Sequence, residues 1–145
     1  MSGVTPAPDA VLLDTCALIW FLDGSMPEEA ANRVIRAGQL GGIYVSPVSA
    51  WEIGLLSRPG SGRGLRFIPD AKTWFRRALA LPGLRPAPFT PEIAIDASHL
   101  PGDLHADPAD RLLIATARHM LAPIVTRDRR ILAYAETREV TALPC

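Results

Sequence analysis

Four acidic residues stand where a folding chain usually places apolar side chains or simple caps. Asp14 ends the apolar run Val11-Leu12-Leu13, and Asp128 lies just past Ile124-Val125-Thr126. Both fall at the carboxyl ends of expected strands, the side on which open α/β sheets bind ligands. Each could instead cap the helix that follows it. Helical projection at about 100° per residue sets Glu52 on one face with Val48, Leu55 and Leu56, inside an apolar stripe. The same projection aligns Asp110 with Leu113, Ile114, Ala117 and Leu121. Desolvating an unpaired carboxylate costs several kcal/mol, so an inward acid must be paired, protonated or bound to a cation. The plainer alternatives are a Glu52 at the stripe's margin that reaches solvent or an arginine, and an Asp107/Asp110 pair that caps a helix and complements its positive end.

The joint pattern carries more than any member. If the sheet reverses its winding between the Val11 and Ile124 strands, Asp14 and Asp128 flank the switch-point crevice and the two helical acids face it. Carboxylates clustered there repel one another unless they are protonated or bridged by a cation. All-oxygen ligation with no Cys or His at metal-ligand spacing selects Mg²⁺ or Mn²⁺. Hard cations in such a crevice act mainly on phosphoryl oxygens, which makes phosphodiester hydrolysis the leading chemistry, with one or two ions equally compatible.

The elements that must position these acids alternate along the chain. Strands are expected at Val11–Leu13, Ile43–Val45 and Pro123–Thr126, with a further edge strand within Val140–Leu143. Helices are expected over Thr15–Leu22, Pro27–Leu40, Pro47–Leu56, Asp70–Leu81, Glu92–Ser98 and Pro108–Leu121, and a short one from near Asp128. Arg85–Pro91, with three prolines, reads as extended. Ser57–Arg66, with three glycines and three arginines, reads as a loop. Strands alternating with helices predict an α/β three-layer sandwich, a mainly parallel central sheet flanked by helices and joined by right-handed crossovers.

At 145 residues, with 48% hydrophobic and 21% charged residues, the chain has the size and apolar content of one folded domain, preceded by a flexible extension over residues 1–9. No apolar run approaches the roughly 18 positions of a membrane span. Met1–Ala10 lacks the basic start and apolar stretch of a secretory signal, so a cytoplasmic location is expected. Cys16 and Cys145 are the only cysteines, which excludes a disulfide framework and a Cys-based zinc site. The formal net charge of zero argues against a plain basic nucleic-acid sponge. Lys72 is the one lysine against 14 arginines.

Leu12-Leu13-Asp14-Thr15, Ser49-Ala50-Trp51-Glu52-Ile53, Asp107-Pro108-Ala109-Asp110-Arg111-Leu112-Leu113-Ile114-Ala115 and Val125-Thr126-Arg127-Asp128 together resemble the motifs of PIN-domain ribonucleases, specifically the VapC-type toxins of toxin–antitoxin pairs. The likeness runs from about Val11 to Tyr134. It implies a PIN-like sandwich and a Mg²⁺ (or Mn²⁺) site built from Asp14, Glu52, Asp110 and Asp128, with Asp14 and Asp110 as direct ligands. Thr15 and Thr126 would be supporting hydroxyls, and Asp107 a cap just outside the metal shell. It further implies RNA cleavage, a homodimer, and a small cognate antitoxin that wraps the toxin and enters its groove. The chain departs from the pattern at Ala109, where many relatives carry Phe, at Cys16, where His or Ser is common, and in its Gly/Arg-rich loop. None of these departures touches an acid.

Setting the four acids aside leaves 11 acidic against 15 basic residues. Arg58, Arg63 and Arg66, with Arg76 and Arg77, are candidates for an RNA-binding rim; a solvated surface laced with ion pairs is the plainer alternative. Arg111 is expected to pair with an acid or to sit outward. His99, His105 and His119 have no ligand spacing and read as solvated or satisfied residues. Trp20, Phe21, Trp51, Trp74 and Phe75 read as core or dimer packing. Two rivals remain. A phosphatase or receiver-type phosphotransfer domain would need a second acid where Cys16 stands, and a catalytically inactive PIN-like module would bind antitoxin or RNA without cutting.

Overall fold

The computed structural model describes residues 9–61 and 65–145. The N-terminal extension is therefore described only at its last residue, Asp9, and Arg63 lies outside the described residues. Five strands, β1 (Val11–Leu13), β2 (Ile43–Val45), β3 (Leu84–Pro86), β4 (Ile124–Thr126) and β5 (Ala142–Pro144), form one sheet in the order β3-β2-β1-β4-β5. Every pairing in it is parallel. The chain winds outward from β1 to β3, then returns to add β4 on the other side of β1. The predicted reversal is present, and it falls between β1 and β4.

Right-handed crossovers then dictate the layers. The helices α1 (Thr15–Asp23), α2 (Glu28–Leu40), α3 (Pro47–Leu56) and α4 (Ala71–Leu79) belong to the outward half. Those of the return half are α5 (Pro91–Ser98), α6 (Pro108–Met120) and α7 (Arg129–Ala135). Strand alternation divides the core between them. Val11, Leu13, Ile43, Val45 and Val125 pack with α1, α2, α3 and α4, while Leu12 and Ile124 pack with α5, α6 and α7. Strands buried on both faces read as continuous apolar runs, as parallel strands must. Among the described residues no helix is long and apolar enough to cross a membrane.

Side-chain caps set six helix starts: Asp14, Ser46, Asp70, Thr90, Asp107 and Asp128 each accept a main-chain N–H of the helix they open. Pro27 precedes α2 rather than entering it. The stretch read only as extended contributes a true strand. Leu84–Pro86 pairs with β2 at the sheet edge, where Pro86 costs no ladder bond. That edge is reached through Gly83 at φ +85°, where a Cβ would come within 2.8 Å of the Gly38 backbone of α2. The C-terminal strand is shifted to Ala142–Pro144, because Val140 turns into the core beneath α7.

Candidate active site

At the carboxyl ends of β1 and β4 the sheet opens into a cleft of about 400 Å³, lined by Asp14, Thr15, Glu52, Asp107, Asp110 and Asp128 together with Cys16, Trp20, Leu113, Arg127 and Arg130. The four predicted acids thus meet in one place, drawn from a strand–helix junction on each side of the switch point and from one helix of each layer. The alternatives of capping and site proved compatible, because a carboxylate has two oxygens. Asp14 Oδ1 accepts from Ala17 N at 2.8 Å and caps α1, while Oδ2 accepts from the Thr126 hydroxyl at 2.5 Å. Asp128 Oδ1 accepts from Arg130 N at 2.8 Å and Ile131 N at 3.2 Å, capping α7. Asp107 Oδ1 accepts from Asp110 N at 3.0 Å, so Asp107 is the cap its position suggested and also borders the cleft.

Hydroxyl groups orient the innermost acids. Thr126 accepts from Asp128 N at 3.0 Å while donating to Asp14, which links the two strand-end carboxylates through one side chain. Thr15 donates to Glu52 Oε1, and its oxygen lies 2.9 Å from Ser49 Oγ. Ser49 is fully buried, and the buried stripe of α3 is Val48, Ser49 and Ile53. The predicted stripe was therefore rotated: Leu55 is 37% exposed, and Glu52 sits half-buried at the margin, aimed into the cleft. Leu121, placed with Asp110 on an inward face, leaves α6 in the left-handed region (φ 54°) and is exposed, because the helix has already ended.

Electrostatics follow from burial. Asp14 is pushed up to about 6, first by desolvation and then by the charges of Asp110 and Glu52, against the opposing bonds from Thr126 and Ala17. Asp110 is also raised, chiefly by desolvation and further by Asp107 and Asp128, although its bond to His105 opposes the shift. For Asp128, partial burial pushes upward but is outweighed by Arg130 and the helix N–H groups, so its carboxyl titrates below the ordinary range. The Cys145 thiol is pushed up to about 11 by burial and then by Asp14, the same anionic field felt by a neighbour.

Sequence reasoning missed three partners. His105 Nε2 lies 2.7 Å from Asp110 Oδ2, in a loop pinned by Arg111, whose guanidinium donates to the carbonyls of Ala97 at 3.0 Å and Leu104 at 3.3 Å. Among the described residues Arg111 therefore pairs with no acid, and it is half-buried rather than outward. Arg130 stands 3.4 Å from Asp128 and 3.8 Å from Asp110. Trp20, expected in packing, carries the Arg127 guanidinium on its ring at 3.8 Å. The histidine's only signal was its place five residues before Asp110, and that of Arg130 its place two residues after Asp128. Arg58, Arg66, Arg76 and Arg77 are exposed and line no part of this cleft.

All-oxygen donors with mutual repulsion suit a hard divalent cation in charge and in type. Each carboxylate is held by its own bonds, and among the described residues no three His, Cys, Asp or Glu groups are drawn into a ready metal cage.

The PIN domain model matches residues 11–137, and the chain belongs to the PIN family. It is a homologue of the VapC-type ribonucleases, 41% identical over 132 residues to Ribonuclease VapC22 of Mycobacterium tuberculosis, covering 90% of this chain and 96% of that protein. The fold is similar to that in VapBC2 from Rickettsia felis bound to a DNA fragment from its promoter, with TM-score 0.66 at 13% identity over 93% of this chain and 98% of that one. FitAcB from Neisseria gonorrhoeae aligns with TM-score 0.53 at 18% identity over 92% and 96% of the two chains. Ribonucleases of this family are generally dependent on a divalent metal.

Proposed function

We propose that the chain is a Mg²⁺-dependent (or Mn²⁺-dependent) endoribonuclease toxin, restrained by a small cognate antitoxin. The observation that supports this most is the convergence of Asp14, Glu52, Asp110 and Asp128 on one switch-point cleft in a PIN-family chain. Asp14 and Asp110 would hold the ion, with Glu52 and Asp128 completing the anionic ring. When bound, the ion supplies charge stabilisation at the phosphoryl group and acidifies water. Water adds to phosphorus as one P–O ester bond breaks, and the departing oxygen leaves protonated as an alcohol. Thr126 fixes the Asp14 carboxylate, Thr15 that of Glu52, and His105 that of Asp110. Solved neighbours of this fold are toxin–antitoxin complexes, FitAB on an IR36 DNA fragment among them, which supports an antitoxin for this chain as well. The same reading carries a homodimer, checked by sedimentation.

The test is incubation of purified protein with total RNA, with and without EDTA, followed by sequencing of the new RNA ends. Cleavage at discrete sites that EDTA and Asp14→Asn both abolish is expected. RNA left intact by the folded, Mg²⁺-loaded chain would favour the inactive binding module. The phosphotransfer rival finds no support in the lining, where no lysine stands and Cys16 occupies the position of its second acid.

A further inference from the structure

An acidic cleft must still admit a polyanion. The lining holds two guanidinium groups, and they are situated differently. Arg130 is engaged by Asp128 and Asp110. Arg127 pairs with no acidic side chain among the described residues. Its Nε donates to the main-chain oxygen of Cys145 at 2.8 Å, and its guanidinium carbon lies 3.8 Å from the centroid of the Trp20 ring. Stacking fixes the plane of the guanidinium, and the Nε bond fixes its rotation. The guanidinium also meets the Cys145 thiol, and its Nη groups make no hydrogen bond to a protein oxygen among the described residues. Trp20 belongs to α1, which Asp14 caps, and Arg127 lies between Thr126 and Asp128. The platform is thus built from the two segments that carry the strand-end acids.

We propose that Arg127, laid on Trp20, is the phosphate-binding group of the cleft and takes a backbone phosphate of single-stranded RNA beside the scissile bond. A planar guanidinium presents two parallel donors to phosphate oxygens, and one already immobilised loses little further freedom on binding. Trp20 is its positioning residue. The inference rests on reading the cleft as an RNA-cleaving site.

The experiment measures binding of a fluorescein-labelled 12-nucleotide RNA of randomised sequence by anisotropy, from low to moderate KCl, in the Asp110→Asn background that stops turnover. Arg127→Gln is expected to lower affinity about tenfold and to reduce the slope of log affinity against log salt by about 0.7, the contribution of one phosphate contact on a single strand. Arg127→Lys, with the charge kept, should retain the slope while losing part of the affinity. Trp20→Leu should weaken binding several-fold, and Trp20→Phe should restore most of it. A slope unchanged by Arg127→Gln, or no binding by the parent at low salt, would overturn the assignment. Cleavage of total RNA by the unsubstituted chain separates the two readings. If cleavage is absent while the slope difference holds, the nuclease reading fails and the phosphate site stands. Cleavage with equal slopes removes the phosphate site alone.

Discussion

The two walls of the cleft hold their acids by different means. On the wall made by β1, α1 and α3, Asp14 accepts from neutral donors, the Thr126 hydroxyl and the Ala17 N–H, and the Thr15 hydroxyl is among the groups that orient Glu52. On the wall made by α6 and α7, Asp110 and Asp128 face His105 and Arg130. Hydroxyls orient a carboxylate without cancelling its charge, whereas a guanidinium does both. The donors to Asp14 therefore leave its charge in place where it is buried, and burial lifts it to about 6, while Asp128 falls below its ordinary range. The difference teaches where the proposed cation would relieve most: at Asp14, raised furthest by burial, and then at Asp110 across the cleft, which is raised as well.

The comparison breaks most visibly at Asp14. Asp14→Asn should reduce cleavage by more than the ~10–100-fold that substitutions behind a metal ligand usually cost, measured as initial rates on labelled RNA. In metal-free buffer at pH 7 the same variant should be more stable. A carboxyl raised above its unfolded value of 3.8 to about 6 contributes stability that is fully present below about pH 4 and is lost as pH rises through 6. Its removal relieves up to about 3 kcal/mol at neutral pH, a gain that vanishes towards pH 4 and is read by thermal melts across that range. Asp110→Asn is expected to abolish cleavage too, with metal-free stability at pH 7 equal or higher, because one like charge leaves the cluster.

Smaller effects separate orientation from charge. Thr126→Val removes the donor that favours ionised Asp14, so the acid limb of the rate–pH profile should move upward and the plateau should fall about 10–100-fold, with Thr126→Ser restoring both. Arg130→Gln should raise the titration point of Asp128, followed by NMR, and change the melting temperature little, since the pair is solvent-exposed. A large loss of stability there would mean that the second wall depends on its cation for folding and not only for charge balance.

The first wall and the sheet were the more legible in sequence. Apolar triplets ending in Asp or Thr announce buried parallel strands and their ligand-facing ends, and Ser46-Pro47 and Asp107-Pro108 announce helix starts. All four acids were found because each violates the expectation for its position. What stayed hidden was pairing across distance. Nothing local in Arg111 says that its guanidinium pins the loop that delivers His105, and nothing in Trp20 says that Arg127 will lie on it. Those contacts exist only once the return half of the chain has closed beside β1. Arg85–Pro91 was read as extended and no strand was assigned at Leu84–Pro86, because the prolines there mask a pairing that needs donors on one side only. The helical projections of Glu52 and Asp110 each carried one wrong neighbour, Leu55 and Leu121, since a projection cannot say how far round the buried stripe extends or where the helix stops.

If mutual repulsion in this cleft is relieved by a hard cation centred on Asp14, thermal unfolding during a Mg²⁺ titration at pH 7.5 shows it most directly. The melting temperature should climb with Mg²⁺ in the unsubstituted chain, the climb should shrink at pH 5 as Asp14 takes up a proton, and it should disappear in Asp14→Asn. A melting temperature indifferent to Mg²⁺, or an equal rise in Asp14→Asn, would contradict it.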